Sequence, residues 1–436
     1  MARHSLFARA SLLAAIVAGA TPGARADDDV RAVRIPATQQ SYVVFAWNDL
    51  GMHCLNPRYD ADVILPPYNN LWAQVVKRGN PPQLVTSNVK VEYRVVDNTY
   101  SYGKRLYGQF WDFSVPLLGV QLAPNTGANL VDPAVHNGLS GVMLAKSDHF
   151  EADGIPVVPV NDAGTWNPYQ VAEITVRTSA GQVLAQTRAT IPTSDEIRCD
   201  KCHGNGVRPY LELHDQRVGT KLQGQANPFL CASCHGSPAL KAPGRTGVSY
   251  LSRAMHGFHA KLARAPGCYD CHPGQKTQCS RSLAHTDSAG ACTKCHGGLA
   301  QVASSIDAGR VPWASEPKCA ACHAGVAGVD TGATLYREAR GHGGVSCAGC
   351  HGSPHAMMPS RVASDNRQAV QYQTTVASIG SCGACHSGSR GEGSREFLEK
   401  HGGLRPERVT ACNVCHTAVV SADTRRWPHS FQWRSR

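Results

Sequence analysis

The chain has 436 residues, a formal net charge of +11, 42% hydrophobic residues, 18 cysteines and 20 histidines. Its length predicts two or three domains, and cysteine and histidine are far more frequent than in an ordinary enzyme. A basic balance often indicates nucleic acid or anionic membranes as partners. Here the lysines and arginines are scattered rather than gathered into one stripe, which argues against nucleic acid.

Residues 1–26 have the features of a secretory signal peptide. Arg3 and Arg9 precede the short apolar run SLLAAIVAGA, and residues 24–26 form an A-x-A cleavage site. The run is shorter than the about 20 apolar residues that span a bilayer, and no later segment reaches that length. We therefore predict an exported, soluble mature chain without a transmembrane segment, located in the periplasm or at the cell surface. Its net charge is +8, since three arginines leave with the leader.

Residues 27–195 alternate between apolar and polar side chains as β-strands do, for example in NVKVEYRVVD at 88–97. In the run 172–191, the sequence SAGQ at 179–182 lies between two such stretches and predicts a hairpin. Proline and glycine breaks separate the other strands. These patterns predict an N-terminal β-sandwich domain of immunoglobulin-like type.

Residues 196–436 form a region of different composition, rich in glycine and alanine and without a regular apolar period. Seventeen of the 18 cysteines lie from Cys199 to Cys415. So few aliphatic residues cannot build a normal core over this length. We predict a second domain of short helices around the cysteines, joined by irregular loops and held together by something other than side-chain packing.

The pattern C-x-x-C-H occurs eight times in this second domain. We number the occurrences motif 1 to motif 8: Cys199–His203, Cys231–His235, Cys268–His272, Cys292–His296, Cys319–His323, Cys347–His351, Cys382–His386 and Cys412–His416. This is the haem c attachment pattern. The two thiols add to the haem vinyl groups, and the adjacent histidine reaches the iron from the proximal side.

The motifs predict eight covalently attached haems c. The predicted attachment residues are Cys199, Cys202, Cys231, Cys234, Cys268, Cys271, Cys292, Cys295, Cys319, Cys322, Cys347, Cys350, Cys382, Cys385, Cys412 and Cys415, and the predicted proximal iron ligands are His203, His235, His272, His296, His323, His351, His386 and His416. Zinc sites combine two C-x-x-C units and need no histidine here, and redox dithiols occur once per domain. Eight exact repeats on an exported chain therefore favour haem.

Eight further histidines in the haem domain are candidate distal ligands: His214, His256, His259, His285, His342, His355, His401 and His429. Because their number equals the number of motifs, we predict mainly bis-histidine irons. His355 follows His351 by four residues and His342 precedes Cys347 by five, so neither can wrap around its own haem. We expect both to bind the irons of neighbouring haems.

Methionine is the other common distal ligand, and Met255, Met357 and Met358 lie near the motifs. Met/His ligation raises the reduction potential, so mainly bis-histidine irons predict a low-potential chain, with Met357 and Met358 packing against porphyrin. The scattered basic residues are expected to pair with haem propionates.

Two cysteines lie outside the motifs. Cys54 and Cys279 either form a disulfide between the domains or remain two buried thiols, and the sequence leaves both alternatives open. His53 is interpreted as a structural residue, with iron ligation as the alternative.

In these motifs the chain resembles the multihaem c-type cytochromes, and specifically their octahaem members, over residues 196–436. NDLGMHC at 48–54 and CYDCHPGQKTQC at 268–279 resemble segments of exported multihaem cytochromes that carry a β-rich N-terminal domain. The resemblance implies electron transport between periplasmic or cell-surface redox partners, such as other cytochromes or quinol-linked donors, through closely packed haems.

Some octahaem relatives are enzymes that process nitrite, hydroxylamine, tetrathionate or sulfite. They keep one iron open, often with a lysine as proximal ligand, whereas all eight motifs here end in histidine. We therefore favour an electron carrier without catalytic residues and keep the oxidoreductase as the alternative. A third hypothesis is self-assembly into a haem-lined filament, in which His429 reaches a haem of another subunit.

Overall fold

The structure is a computed structural model that describes residues 41–79, 81–204, 209–274, 276–285, 291–322 and 334–386. Several predicted features lie outside these residues: the signal peptide, motif 8 with Cys412, Cys415 and His416, and the histidines His323, His401 and His429.

Two antiparallel sheets form most of the N-terminal region. The first has the order β1-β4-β9-β8, with β5 also paired to β4, and the second has the order β11-β10-β6-β7. The strands of the first sheet are β1 Tyr42–Trp47, β4 Asn69–Lys77, β5 Gln83–Val85, β8 Leu144–Ala145 and β9 Phe150–Ile155. Those of the second are β6 Val89–Val95, β7 Ser140–Val142, β10 Val171–Thr178 and β11 Val183–Thr190.

The two sheets pack face to face. Their strands alternate between apolar and polar side chains, as the sequence predicts, so each sheet has an apolar face that the other covers. Ala172, Ile174 and Val176 of β10 point inward and meet Val44 and Ala73 of the first sheet in one apolar core. The predicted hairpin is confirmed, since β10 and β11 pair antiparallel. Gly181 adopts φ +88° in its turn, a conformation that glycine takes without steric cost. The immunoglobulin-like topology stays a prediction.

A second apolar cluster lies beside the sheets. It contains Tyr107, Phe110 and Trp111 around the short helices α1 Gln109–Asp112 and α2 Ser114–Leu118. Two parallel strand pairs border it: β2 His53–Cys54 with β12 Thr193–Ser194, and β3 Asp62–Val63 with β13 Phe229–Leu230. Because Cys231 follows β13 directly, this second pair connects motif 2 to the described residues 41–195, which we call the strand-rich region.

The described residues from 196 to 386, which we call the motif region, consist of short helices and loops, as predicted. Its helices are α3 Asp200–His203, α4 Pro209–Val218, α5 Leu251–His259, α6 Cys268–Cys271, α7 Ala291–His296, α8 Leu299–Asp307, α9 Cys347–His351 and α10 Arg367–Gln373. Its 3₁₀ turns are Cys231–Ser233, Pro238–Leu240, Cys319–Ala321, Tyr336–Glu338, His342–Gly344, Ala363–Asn366 and Cys382–Ala384. Within the described ranges no helix has the length and apolar character of a membrane span.

Strand β1 is buried on both faces and joins the two regions. Its even positions, such as Val44, enter the sandwich core, whereas Val43, Phe45 and Trp47 pack against Ala348 of α9 in a separate cluster. The continuous apolar run YVVFAW is typical of a strand covered on both sides. The sheet is therefore one wall of the motif region.

A buried ion pair also holds the regions together. Arg281 and Asp365 are 1% and 4% exposed, and the guanidinium donates to both carboxylate oxygens at 2.7 and 3.1 Å. Its Nη1 donates to the carbonyl oxygen of Gly51 at 2.6 Å. Three separate chain segments thus converge on one arginine.

We expect Arg281→Met to lower the free energy of unfolding by about 3–5 kcal/mol, because it leaves Asp365 buried without a counter-charge. Arg94 is the control, since its pair with Glu173 is at the surface of the sandwich with 56% of the arginine side chain exposed. Arg94→Met should cost at most about 1 kcal/mol. Guanidinium denaturation of both variants measures the difference, and equal losses would contradict the structural role of Arg281.

Candidate functional site

Each described motif begins a single helical turn. Motifs 1, 3, 4 and 6 lie in α3, α6, α7 and α9, and motifs 2, 5 and 7 begin in 3₁₀ turns. Residues three apart lie on the same side of such a turn. In motifs 1, 2, 3, 4 and 6 the first and second cysteines therefore face one direction, and the histidine lies at or just after the end of the turn.

The structure brings five motif histidines together with five of the outer histidines. The pairs, with the distances between their ring centroids, are His203–His259 at 6.5 Å, His235–His214 at 6.2 Å, His272–His256 at 6.0 Å, His296–His355 at 6.2 Å and His386–His342 at 6.1 Å. Every pair contains one histidine of each kind, which unrelated surface histidines would not do.

The separation of the paired rings fits two ligands of one metal ion. Imidazoles on opposite sides of an ion, each bound through a nitrogen at about 2 Å, have centroids about 6 Å apart. The ring planes fall into two classes, since three pairs are inclined by 18–28° and two by 77–84°. Both inclinations are compatible with axial ligands, which differ only in rotation about their common axis.

Helix α5 supplies two of the outer histidines. His256 and His259 are three residues apart and so lie on neighbouring positions of one helix face. His256 is paired with His272 of motif 3, and His259 with His203 of motif 1. One short helix thus connects two motifs that are far apart in the sequence.

Two outer histidines come from the chain around motif 6. His355 lies beside His296 of motif 4, and His342 lies beside His386 of motif 7. Neither is paired with His351, the histidine of the motif between them. His351 has its Nδ1 3.2 Å from Ser378 Oγ, and neither His351 nor His285 belongs to the five pairs.

Hydrogen bonds orient several of these imidazoles. The Nδ1 atoms of His235, His256 and His259 donate to backbone carbonyls of Ser249, Ser252 and Met255 at 3.0, 2.7 and 2.8 Å. A donor at Nδ1 leaves the lone pair on Nε2, the nitrogen that then binds a metal. The hydrogen bonds therefore select the tautomer that ligation requires.

Burial favours the neutral form of several of the paired rings. Burial lowers the pKa of His272 to about 4, and the neighbouring His256, His296 and His355 add to the shift. Burial, with His342 as neighbour, lowers the pKa of His386 to about 4 as well. Neutral imidazole is the form that binds metals.

The strand-rich region positions the pair His342–His386. The buried Gln74 of β4 donates to the carbonyl of Gly344 at 3.2 Å and accepts from the Ser346 amide at 2.7 Å, which fixes the loop that carries His342. Just beyond β4, Gly79 forms a parallel bridge with His386. The positioning roles of Gln74 and Gly79 were not predicted from the sequence. For Gln74 a signal was present, since a glutamine inside the apolar run NLWAQVVK is unusual.

The cysteines do not form a zinc site or a disulfide framework in the described residues. Zinc needs four ligands around one point, and no group of three or more His, Cys, Asp or Glu suited to a metal ion is found among the described side chains. No disulfide joins the cysteines whose side chains the structure describes. Burial raises the pKa of Cys350 to about 12, which opposes the thiolate form that zinc binds.

The residues outside the motifs have the following positions. Cys54 and Cys279 are separate thiols, so the disulfide alternative is not present in the structure; burial raises the pKa of Cys54, and the nearby Cys279 adds to the shift. His53 is buried with its Nε2 2.8 Å from Asp49 Oδ1, as a structural residue would be. Met358 is buried in protein, and Met255 is exposed on α5.

The family model of cytochrome c7 and related cytochrome c matches residues 310–387. This segment contains motifs 5, 6 and 7. No curated protein and no solved structure matches the chain.

The match supports a multihaem c-type cytochrome in electron transfer, with covalently bound haem c. Such cytochromes are typically exported and work with redox partners. The described side chains fit this cofactor, because the motifs present paired thiols and the histidine pairs have the spacing and tautomers of axial ligands.

The double variant Cys347→Ala/Cys350→Ala should lose exactly one covalently bound haem, since it removes both thioether positions of motif 6. Cys54→Ser is the control, because Cys54 lies outside the motifs, and it should retain the full haem content. Intact mass under denaturing conditions measures the number of attached haems. An unchanged mass increment in the double variant would show that motif 6 does not attach haem.

Proposed function

We propose that the chain is a low-potential octahaem c-type cytochrome that conducts electrons between periplasmic or cell-surface redox partners. The observation that carries the proposal is the set of five pairs, each of one motif histidine and one outer histidine. In the proposal they are the axial ligands of five haem irons. Three motif histidines and three outer histidines, His285, His401 and His429, remain for the other three irons.

The roles of the residues follow from this assignment. Haem supplies one-electron redox chemistry, and each motif's two cysteines fix its porphyrin to the chain. The motif and outer histidines would hold each iron between them and would leave no position on it for a substrate. Two imidazoles, in place of a methionine on one side, keep the potential low. The proposal therefore includes no catalytic residue.

The first four motifs form a continuous series in space. Burial raises the pKa of the Cys231 thiol, and Cys199 of motif 1 adds to the shift. Burial likewise raises the pKa of Cys199 to about 12, with Cys271 of motif 3 contributing, and that of Cys292 in motif 4, with Cys268 of motif 3 contributing. Because such effects act only between near neighbours, they support motif 1 lying near motifs 2 and 3, and motif 3 lying near motif 4.

Motifs 5, 6 and 7 form a second group. Burial raises the pKa of Cys385 in motif 7 to about 12, with Cys350 of motif 6 contributing. Burial also raises the pKa of Tyr336, which has Cys347 of motif 6 and Cys319 of motif 5 as neighbours. His355 connects the two groups, since it follows motif 6 directly and lies beside the histidine of motif 4. Such an arrangement supports a conduit with an entrance at one end and an exit at the other.

We expect the electron paramagnetic resonance spectrum of the oxidised protein to contain two kinds of low-spin ferric signal. Parallel imidazole planes separate two iron d orbitals in energy and give a rhombic signal, whereas perpendicular planes leave these orbitals nearly equal and give a strongly anisotropic one. The pairs of motifs 3, 4 and 7 belong to the first kind, and those of motifs 1 and 2 to the second.

The same sample tests the conduit against the oxidoreductase. A conduit has only low-spin irons and, when reduced, negligible reactivity toward carbon monoxide. A high-spin component that amounts to one iron per chain, together with carbon monoxide binding to one haem, would reject the conduit in favour of an octahaem oxidoreductase.

A further inference from the structure

We propose that the loop of residues 48–51 in the strand-rich region positions His355, and thereby sets the coordination and potential of the haem at motif 4. We call residues 48–51 the ligand-support loop. This inference rests on the proposed function, since it assumes that His355 binds that iron. It gives the β-sandwich a direct role in the redox centre.

The ligand-support loop contacts the imidazole itself. Nδ1 of His355 donates to the carbonyl oxygen of Leu50 at 3.2 Å. The Nδ1 atoms of His256 and His259 donate instead to carbonyls of their own helix, four residues earlier. A carbonyl at Nδ1 fixes the ring's orientation and tautomer and makes Nε2 a stronger ligand. For His355 the acceptor belongs to another chain segment, because Leu50 lies 305 positions earlier in the sequence.

The ligand-support loop is rigid because Asn48 holds it from inside. Asn48 is fully buried, and its Oδ1 accepts from the amides of Leu50 and Gly51 at 3.2 and 2.6 Å. Its Nδ2 donates to the Asn70 carbonyl at 2.8 Å. The backbone amide of Asn48 donates to Ser353 Oγ at 3.1 Å, two residues before His355. The Leu50 carbonyl is therefore held at a defined place relative to the ligand.

Gly51 permits the close approach of the two segments. It has φ +77°, and a Cβ built on it would lie 1.5 Å from the carbonyl oxygen of Pro354. Pro354 immediately precedes His355, so any side chain at position 51 would push the ligand segment away from the ligand-support loop. The need for glycine here has a steric cause, separate from its positive φ.

Arg281 contacts the same two segments. Its backbone amide donates to the carbonyl of His355 at 2.7 Å, and the amide of Ser282 donates to the same oxygen at 3.1 Å. Its guanidinium donates to the Gly51 carbonyl at 2.6 Å. The main chain of His355 and the ligand-support loop thus share one buried anchor, which fixes the backbone of His355 relative to the Leu50 carbonyl.

The position of this ligand gives the support a functional consequence. His355 lies where the series of motifs 1–4 meets the group of motifs 5–7, so its haem is at the junction of the proposed conduit. A ligand of fixed direction and raised basicity stabilises the ferric form and lowers the potential of that haem. The β-sandwich therefore influences the difference in reduction potential where electrons pass between the two groups of haems.

Gly51→Ala in the full-length, haem-loaded protein tests the proposal, with Gly181→Ala as the matched control. Gly181 also has positive φ in a turn of the strand-rich region, but a Cβ there meets nothing within 4 Å. Haem content, the paramagnetic resonance spectrum and a potentiometric titration are measured for both. We expect Gly51→Ala to keep its haems while one rhombic low-spin component per chain changes its g values and one haem shifts its midpoint. Gly181→Ala should match the wild type in all three.

His355→Ala separates this proposal from the proposed function. If His355→Ala removes one low-spin component and Gly51→Ala changes nothing, His355 is a ligand and the positioning role is wrong. If His355→Ala leaves every component unchanged, the ligand assignment itself fails. Should Gly51→Ala lose haem, Asn48→Ala takes its place, with the same expected spectral change, and a spectrum identical to that of Gly181→Ala overturns the proposal.

Discussion

The structure of the motif region depends on the pairing of histidines that are distant in the sequence. Each pair places one imidazole of a motif about 6 Å from an imidazole outside it, at the spacing of two ligands on one metal ion. Every such pair connects two chain segments. If an iron ion joined each pair, these cross-connections would take the place that apolar packing has in the sandwich, and haem at each pair would supply the apolar interior that a region of short helices and few aliphatic side chains lacks.

The strand-rich region and the motif region are mechanically one unit in this account. Strand β1 is covered by the sandwich core on one face and by α9 on the other. Gln74 holds the loop of His342, and Leu50 contacts His355. A β-sandwich is rigid because its core is densely packed. Such a scaffold suits electron transfer, since fixed ligands keep the reorganisation of each redox centre small.

Much of this architecture is predictable from the sequence, because its signals are local. The eight motifs, the period-2 strands and the hairpin at Gly181 each occupy a few consecutive residues. The pairing of histidines is not local: the sequence predicts the equality of the two sets and that His342 and His355 serve other motifs than motif 6, but not which motifs these are. Nothing in it indicates that His256 and His259 of one helix lie beside different motifs. The role of Leu50 cannot be predicted from the sequence for another reason. It depends on a backbone carbonyl, which every residue type has. The buried pair Arg281–Asp365 likewise consists of residues that are ordinarily exposed.

The central claim is that an iron ion lies between the two rings of each histidine pair. Anomalous X-ray scattering at the iron absorption edge, from crystals of the haem-loaded protein, tests it most directly. The account predicts an iron peak midway between each pair, about 3 Å from both ring centroids, including the pair His296–His355. Iron peaks at other places, or a signal at the zinc edge beside the motif cysteines, would contradict it.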